Sequence, residues 1–335
     1  MHIVDQEILN PKKLFWSRFF SQLTCTFSPG RNANQPIDKT SIKKILILEH
    51  QCIGDVIMLE PTLKALKNYY TQAEIDLLCV SAVKEIAESA GLADKILTFP
   101  EETPYDVHYD MVFDFHGDIR HIRMMQGLKT RYRSGFSFSG GAYWLSHVVD
   151  YPYREHQVER PFSLLKLLNI PVERNVPRLN LFSNVRKNPN KIVLHPGANH
   201  PNRLWPEEHW KTMITALQKE GYELIWLTPP GETAPAGIDA LSGSLLKIAE
   251  GIASSTLLIC CDSMSGHLAT ALRTHALAIF GSQNPELTKP YGPLGHIIVP
   301  PEACKHVRSD WRLCAECMAA VRPSAVLKEV QKIIK

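Results

Sequence analysis

The strongest constraint on the fold is a rhythm in which short apolar runs alternate with helical stretches. The run from Ile45 to Leu48 is continuously apolar, as a strand buried on both faces requires, and a helical stretch from Val56 to Tyr70 follows it. Further strands are predicted over residues 75–80, 96–99 and 111–115, with helical patterns between them. This alternation is typical of the α/β class with a mostly parallel sheet.

The same rhythm restarts in the second half of the chain. The segment from Pro171 to Asn190 carries three prolines among polar residues and predicts a linker. After it we predict a helix from Pro206 to Glu220 and a closing helix from about Pro323 to Ile334. Strands are predicted over residues 192–194, 224–227, 257–261 and 276–280.

These patterns predict four regions. They are an N-terminal extension over residues 1–41, a first doubly wound domain over 42–175, a linker over 176–190 and a second domain over 191–335. Two doubly wound domains imply a cleft between them, with ligands at the carboxyl ends of the strands.

Composition excludes several other classes of protein. The 335 residues are enough for two domains, and 37 basic against 34 acidic residues give a net charge of +3, too small to argue for nucleic acid. Eight cysteines in a chain of this size do not indicate a disulfide framework, so a reducing cytoplasm is expected. We find no run of membrane-spanning length, no signal peptide, no Walker lysine motif and no dinucleotide-binding glycine motif after the first strand.

The extension contains a short aromatic segment with helical spacing. Phe15 and Phe19, then Trp16 and Phe20, lie four residues apart, with three basic residues alongside. One interpretation is an interfacial helix that contacts anionic membrane lipid, and the other is a helix packed on the body of the protein. The sequence leaves both open.

Polar residues follow the predicted strands of the first half. Asp55 comes directly after Gly54 in the loop behind the first strand, where a carboxylate could take a proton from an incoming hydroxyl. An aspartate that caps the following helix is the simpler alternative.

The second half is richer in such residues. Arg203 lies between the loop His195–Ala198 and a predicted helix start, an arrangement suited to a diphosphate, although a surface arginine beside a Trp205 that fixes the helix is the alternative. Asp262 and Ser263 leave another strand, where they would serve either a ligand or a helix cap. Glu232 follows a third strand and could accept hydrogen bonds from a ribose diol.

Four segments together resemble glycosyltransferase family 9, the bacterial heptosyltransferases of lipopolysaccharide core assembly. They are residues 45–61 (ILILEHQCIGDVIMLEP), 193–210 (VLHPGANHPNRLWPEEHW), 261–272 (CDSMSGHLATAL) and 280–291 (FGSQNPELTKPY). The segments 110–120 and 156–160 also look like family landmarks, and residues 1–40 fall outside the resemblance.

The resemblance implies a GT-B fold, in which two Rossmann-like, doubly wound domains face a central cleft. It implies inverting, metal-independent transfer of heptose from ADP-heptose to the inner core of lipopolysaccharide or lipooligosaccharide, with no cofactor. The acceptor would be the core oligosaccharide linked to lipid A, and the enzyme would lie in the cytoplasm, peripheral on the inner face of the inner membrane. Alternatives are another nucleotide sugar as donor, or a catalytically silent nucleotide-sugar-binding protein.

By position, the resemblance makes Asp55 the catalytic base and Arg203 the group that neutralises the leaving diphosphate. Glu232 would hold the ribose and Asp262 the donor sugar. The implied donor-binding residues are Gly54, His195, Pro196, Gly197, Arg203, Glu232, Asp262, Ser263, Gly266 and His267.

The sequence departs from the family pattern at two donor-side positions. Met264 stands where glycine is usual, with a glycine only at Gly266, and Arg203 stands where many members have lysine. Both departures concern the donor sugar more than the fold.

Two further clusters raise questions of binding. A phosphorylated acceptor predicts basic contacts from the first domain, and the richest cluster is Arg120, Arg123, Lys129, Arg131 and Arg133, on a helix followed by a strand; a solvated face is the alternative. Cys304, His306, Cys314 and Cys317 could complete a tetrahedral zinc site, but the gap from Cys304 to Cys314 matches no standard zinc pattern. We therefore interpret these cysteines as free thiols and assign no metal ligand.

Overall fold

The computed structural model describes residues 34–136, 141–229, 231–305 and 314–334, together with residues 15, 16, 19 and 23. The chain divides into two compact units, Met1–Asn175 and Val176–Lys335.

Unit 1 is built on a six-stranded parallel sheet. Its strands are β1 (Lys44–Glu49), β2 (Glu74–Val80), β3 (Lys95–Phe99), β4 (His108–Asp114), β5 (Lys129–Phe136) and β6 (His147–Val149). They are ordered β3-β2-β1-β4-β5-β6, and all pairs are parallel. The chain winds outward in both directions from β1 and β4, so the switch point of the topology lies between these two strands.

Among the described residues, four α-helices lie between these strands: α1 (Ile53–Met58), α2 (Glu60–Tyr69), α3 (Lys84–Ser89) and α4 (Ile119–Gly127). A further helix, α5 (Arg160–Leu167), follows β6. The predicted single helix from Val56 to Tyr70 is therefore two helices. Pro61 has no N–H to continue the ladder of α1, and it lies in the first turn of α2, where that donor is not needed. Leu59 joins the two helices, and its N–H donates to the Asp55 carbonyl at 3.0 Å.

Unit 2 repeats the same topology. Its strands are β7 (Asn188–His195), β8 (Glu223–Leu227), β9 (Asp239–Leu241), β10 (Ser255–Cys261), β11 (His275–Ile279) and β12 (Gly295–Ile298). They are ordered β12-β11-β10-β7-β8-β9 and are all parallel, which is the order of unit 1 counted from β7. The switch point of this sheet lies between β7 and β10.

The helices of unit 2 are α6 (Glu207–Lys219), α7 (Leu245–Ala253), α8 (Met264–Ala271), α9 (Pro285–Thr288), α10 (Ala315–Ala320) and α11 (Pro323–Ile334). The apolar runs of the central strands β7 and β10, residues 192–194 and 257–261, are buried, as such runs predict. Trp205 is buried in the same core and donates from Nε1 to the Val321 carbonyl at 2.8 Å. The expectation that Trp205 fixes the start of its helix to the core is confirmed.

The segment between the two sheets has no helix or strand from residue 168 to residue 187. Its second half is nevertheless attached to unit 2, because the Leu179 N–H donates to the Ala271 carbonyl at 3.0 Å and Lys187 Nζ donates to Thr274 Oγ1 at 3.2 Å.

Four described side chains of the extension are exposed: Phe15, Trp16, Phe19 and Leu23. The rings of Phe15 and Phe19 stack with centroids 6.3 Å apart, and Phe20 lies outside the described residues. Among the described residues, no helix combines the length and apolar character that crossing a bilayer demands.

Candidate functional site

The switch point of unit 1 gathers acidic and imidazole side chains. Glu49 is the last residue of β1 and Asp114 the last residue of the adjacent β4, and both are buried. The loop after β4 folds back on Asp114, whose carboxylate accepts from the backbone N–H groups of His116 (3.2 Å) and Gly117 (2.8 Å). Gly117 has φ +70°, a left-handed conformation that glycine adopts without strain. This turn directs His116 back toward β1.

Two carboxylate–imidazole pairs result. Glu49 Oε1 lies 2.6 Å from His116 Nε2, and Asp114 Oδ1 lies 2.9 Å from His121 Nδ1. Gln51 Nε2 lies 2.9 Å from His121 Nε2. Since the Gln51 amide donates, His121 Nε2 accepts, and the His121 proton is on Nδ1 toward Asp114.

His116 holds its proton tightly. Burial alone would lower its pKa, but the Glu49 carboxylate outweighs burial and raises the pKa of His116 to about 10. At neutral pH the His116 side chain is therefore an imidazolium paired with a buried carboxylate.

Asp55 lies beside this pair. It is half-buried in the first turn of α1, and Gln157 Nε2 donates to its Oδ1 at 3.4 Å. Burial raises the pKa of Asp55 to about 6, and Glu49 adds to this, while His116 and Arg160 oppose it. The N-cap of α1 is Cys52, so Asp55 is not the capping aspartate of the simpler interpretation.

Gly54 is buried in the same helical turn and is not among the residues with positive φ. It therefore makes no tight turn, and the donor contact expected of Gly54 stays a prediction.

Side chains at the start of α5 and in the segment before it support Asp55. Arg160 Nη1 donates to Gln157 Oε1 and, at 2.7 Å, to the Tyr151 hydroxyl. Arg160 Nε donates to the Glu155 carbonyl at 3.0 Å. Arg160 thus holds Gln157 in place against Asp55. Residues 156–160 resemble a family landmark, but no role for Gln157 or Arg160 was predicted from the sequence. The same holds for Glu49 and His116.

The predicted acceptor arginines do not form one patch. Arg120 and Arg123 lie on the exposed face of α4, which starts at the carboxyl edge of the sheet, and Arg120 pairs with Asp118 at 2.6 Å. Arg131 is exposed in the amino-terminal half of β5. In the register with β4, Asp114 is opposite Gly135, so Arg131 lies four residues, about 13 Å, before the carboxyl edge.

Arg133 has a different task in the structure. Its Nε donates to the Met125 carbonyl at 2.9 Å and its Nη2 to the Leu128 carbonyl at 3.2 Å, so that it binds the carboxyl end of α4. The helix and strand of the predicted cluster are present, but the register and these bonds do not support acceptor contacts from Arg131, Arg133 or Lys129. The reason is that these residues occupy the start of β5 and not its carboxyl end.

The switch point of unit 2 carries hydroxyls and a neutral imidazole. His195 ends β7, and its Nδ1 lies 2.7 Å from Ser265 Oγ and 3.1 Å from Ser263 Oγ. Burial lowers the pKa of His195 to about 4, so the ring is uncharged at neutral pH. Ser263 is the N-cap of α8, but its side chain makes no capping bond and contacts His195.

Arg203 is held at the same edge by two side chains. Its Nη1 lies 3.7 Å from Oδ2 of the buried Asp262, which follows β10. With the amide oriented to satisfy both neighbours, Gln283 accepts from Arg203 Nη2 (2.6 Å) and Nε (2.9 Å) and donates to Asp262. Arg203 is therefore a fixed, partly exposed cation, and its partner Gln283 was not indicated by any sequence pattern.

A cavity of about 920 Å³ opens beside the His195–Ala198 loop. Its lining includes Pro196, Gly197, Trp226 and the exposed Glu232. A Cβ at Gly197 would come within 2.9 Å of His195 Nε2, so a larger residue there would require the His195 ring to shift. The lining combines an aromatic ring with a carboxylate, which suits a ligand with both apolar and polar parts.

The remaining predicted residues lie on α8. Gly266 and His267 are buried, and a Cβ at Gly266 would meet Pro290 Cγ at 2.8 Å. Gly266 thus lets α8 approach Pro290, and its contact with a donor stays a prediction. Met264 begins the helix and is partly exposed.

Two sets of side chains have metal-ligand character among the described residues. The Sγ atoms of Cys304, Cys314 and Cys317 lie within 4.8 Å of one another, and so do donor atoms of Glu49, Asp55 and His116. In the second set the closest pair of donors already binds directly, Glu49 to His116. His306, named with the cysteines in the sequence, lies outside the described residues.

Comparisons with known proteins agree with this picture of two doubly wound units. The family model described as glycosyltransferase family 9 (heptosyltransferase) matches residues 105–313. Lipopolysaccharide heptosyltransferase 3 of Escherichia coli (strain K12) is 22% identical over 284 residues, which cover 71% of this chain and 82% of that protein. Lipopolysaccharide heptosyltransferase 1 of Pseudomonas aeruginosa is 24% identical over 241 residues, covering 64% of this chain and 63% of that protein.

Among solved structures, ADP-heptose lps heptosyltransferase II of E. coli aligns with a TM-score of 0.70 at 18% identity, over 87% of this chain and 98% of that one. The likeness establishes the fold: two Rossmann-like units of a GT-B glycosyltransferase. The chain belongs to glycosyltransferase family 9, the heptosyltransferase family.

Proposed function

We propose that this protein is an inverting heptosyltransferase that transfers heptose from ADP-heptose to the inner core of lipopolysaccharide or lipooligosaccharide. Its named relatives are lipopolysaccharide heptosyltransferases, and similar solved structures are described with ADP and with an ADP-heptose analogue. The observation that carries the proposal is a carboxylate with a pKa of about 6, Asp55, at the switch point of unit 1.

Asp55 is the proposed general base. It takes the proton of the acceptor hydroxyl while that oxygen forms a bond to the anomeric carbon of the donor heptose. The bond from that carbon to the diphosphate oxygen breaks on the opposite face, and its electron pair leaves with the nucleoside diphosphate. A single displacement of this kind inverts the anomeric centre. The raised pKa of Asp55 makes it a stronger base than an ordinary aspartate, yet one still ionised at neutral pH.

Arg203 is the proposed electrostatic partner of the leaving group. Asp262 and Gln283 hold its guanidinium in a fixed orientation, so little reorganisation is needed as charge grows on the diphosphate. A fixed cation stabilises the transition state more than the ground state, and in this proposal it acts without a metal ion.

Glu232 and the cavity beside it are the proposed nucleotide site. The exposed carboxylate would accept hydrogen bonds from the ribose hydroxyls, and Trp226 would line the apolar part of the pocket. Asp262, in this proposal, also faces the donor sugar, while the backbone N–H groups of Gly197 and Ala198, which follow Pro196, and of the start of α8 face the phosphates.

Arg120 and Arg123 are the proposed acceptor contacts, because α4 carries them from the carboxyl edge of unit 1. Their charge suits an acceptor with phosphates or carboxylates. The exposed Phe15, Trp16 and Phe19 support a location on the inner face of the inner membrane, where the lipid-linked acceptor is held.

The experiment is mass spectrometry of a series of truncated lipopolysaccharide acceptors after incubation with ADP-heptose, ADP-glucose, UDP-glucose or dTDP-rhamnose. We expect the mass of one inner-core acceptor to rise by one heptose, and only when ADP-heptose is the donor. The Asp55→Asn variant should lose activity by about 10³-fold, within the range for general bases, whereas Asp106→Asn, an exposed aspartate of the same unit, should not. Presenting the acceptor in anionic vesicles, and pelleting them, checks for membrane association.

A gain of another sugar would reject ADP-heptose as donor and keep the enzyme class. Tight ADP binding with no transfer to any acceptor would indicate a silent nucleotide-sugar-binding protein. Full activity of Asp55→Asn would remove Asp55 as the base.

A further inference from the structure

Three cysteines converge at the start of α10, and none of them is among the residues assigned to the proposed reaction. Cys304 is partly buried in the loop after β12, Cys314 is the buried N-cap of α10, and Cys317 is buried one turn into that helix. Their Sγ atoms lie within 4.8 Å of one another although ten residues separate the first two along the chain. The geometry points to a structural Zn²⁺ site with these three thiolates as ligands.

The separation of the sulfurs suits a tetrahedral ion. With Zn–S bonds of about 2.3 Å, two sulfurs of a tetrahedral site lie about 3.8 Å apart, so each pair needs to close by about 1 Å or less. Rotation of the side chains supplies such a movement. Thiolates favour zinc over magnesium or calcium, which prefer oxygen ligands.

Binding has a defined proton balance. Each thiol loses its proton when its sulfur bonds to Zn²⁺, so one ion displaces three protons from three thiols, and no electron is transferred. A fourth donor completes the tetrahedron. A disulfide would join only two of the cysteines. It would therefore not explain why all three sulfurs lie within 4.8 Å of one another.

The helix that carries two of the ligands supports the donor-side loops. A Cβ at Gly281 would come 2.9 Å from both Cγ and Sδ of Met318, so Met318 packs directly on the backbone after β11. Two residues further along lies Gln283, which contacts Arg203. The Val321 carbonyl just after α10 accepts the Trp205 indole N–H. An ion that holds α10 in place therefore also stabilises the loops around Arg203 that pack against this helix.

Glu316 provides a matched variant. Its exposed carboxylate accepts from Cys314 Sγ at 3.0 Å, and that bond ends when the thiol is deprotonated. A carboxylate beside three thiolates opposes the build-up of negative charge. Replacing it with a neutral amide should therefore leave zinc affinity the same or raise it, whereas each cysteine change should lower it.

The test measures metal content of the full chain, purified without chelators. Inductively coupled plasma mass spectrometry should find about one zinc per chain in the wild type, in Glu316→Gln and in Cys52→Ser, whose exposed thiol lies outside the cluster. The variants Cys304→Ser, Cys314→Ser and Cys317→Ser should each lose most of the bound zinc, because their affinity for zinc falls tenfold or more. After a chelator has removed the zinc, added Co²⁺ should produce a thiolate-to-cobalt absorption band in the wild type. The band should be weaker in each cysteine-to-serine variant.

The wild-type chain alone keeps the proposal falsifiable if the serine variants fail to fold. Stripped and titrated with zinc, it should bind one equivalent and release about three protons at a pH where the free thiols are protonated. Absence of zinc and of the cobalt band would overturn the site. So would a Cys314–Cys317 disulfide in protein purified under reducing conditions, or iron in place of zinc.

Discussion

The switch points of the two units have the same strand order but opposite electrostatics. In unit 1, Glu49 raises the pKa of His116 to about 10, against the effect of burial. In unit 2, burial lowers the pKa of His195 to about 4, and its Nδ1 faces serine hydroxyls. The unit alone does not decide the charge of a histidine, because burial also lowers the pKa of His50, directly after β1 of unit 1, to about 4. His116 is a cation because it is paired with a buried carboxylate. Topology therefore decides where a ligand would bind, and the side chains beside that place decide the chemistry.

The contrast suits the proposed reaction, in which unit 1 supplies the base and unit 2 binds the diphosphate. A base must release and take up a proton, so unit 1 surrounds Asp55 with groups that shift its pKa in both directions. A diphosphate needs a permanent cation and neutral donors, so unit 2 offers one fixed arginine among hydroxyls and an amide.

The largest expected effect on kcat comes from removing the fixed cation of unit 2. Arg203→Gln removes its fixed cation and leaves buried Asp262 without that partner, so we expect kcat to fall by about 10²–10³-fold. Arg203→Lys keeps the charge but not the paired bonds to Gln283 and should lose less. Steady-state kinetics with ADP-heptose measure both.

Arg131→Gln is the matched control, because Arg131 is exposed in the amino-terminal half of β5. It should leave kcat and both KM values unchanged. A loss of acceptor affinity in that variant would restore the strand arginines to the acceptor site.

The second effect sharpens the contrast through pH. Since Asp55 acts ionised and its pKa is about 6, kcat/KM should fall about tenfold per pH unit below pH 6. In His116→Gln the opposing cation is lost, so the pKa of Asp55 should rise and the acid limb should move to higher pH. A limb that stays in place would show that His116 does not act on Asp55.

Stability should depend on Asp55 in the opposite direction to activity. The folded-state pKa of about 6 lies above the ordinary value of 3.8, so the folded state binds more protons between these pH values. The contribution of Asp55 to the free energy of unfolding is therefore lost as pH rises from about 4 to about 6. Asp55→Asn should be more stable than wild type above pH 6, and the difference should shrink below pH 4 in chemical denaturation experiments.

The smallest effect concerns the cavity of unit 2. Glu232→Ala should raise KM for ADP-heptose about tenfold with little change in kcat, because one charged acceptor of the ribose is lost in the ground state and the transition state alike. Glu207→Ala, on the same cavity wall but at the start of α6, is the control. A drop in kcat at constant KM would place Glu232 nearer to the reacting atoms than proposed.

Much of the fold could be predicted from the sequence, because parallel strands buried on both faces produce continuous apolar runs. Four strands of each sheet were predictable on that ground, whereas β6, β9 and β12 are too short to give such a run and β5 carries polar residues. The helix from Pro323 to Ile334 was also predicted, from its helical pattern. The break at Leu59 was not, since Pro61 fits a helix start as well as it interrupts a helix interior.

The candidate site was predictable only in part. Asp55, Arg203 and Asp262 could be chosen because they follow strands. Glu49 and His116 could not be paired before β1 and β4 were known to be neighbours, and Gln283 depends on a loop from a third strand. The distance of Arg131 from the carboxyl edge could not be predicted, because the sequence pattern around the basic residues does not show where β5 begins and ends.

The bond between Trp205 and Val321 has a consequence for the order of events during synthesis. The two residues are 116 positions apart, so the indole N–H beside the Arg203 loop has no native acceptor until residue 321 has left the ribosome. The outer face of α6 likewise waits for α11, whose Val326 and Val330 belong to the same core as Trp210. A nascent chain can complete its first sheet early, yet it can shape the Arg203 loop only after residue 321 has emerged. Binding of a nucleotide sugar is thereby deferred until almost the whole of unit 2 is available to fold.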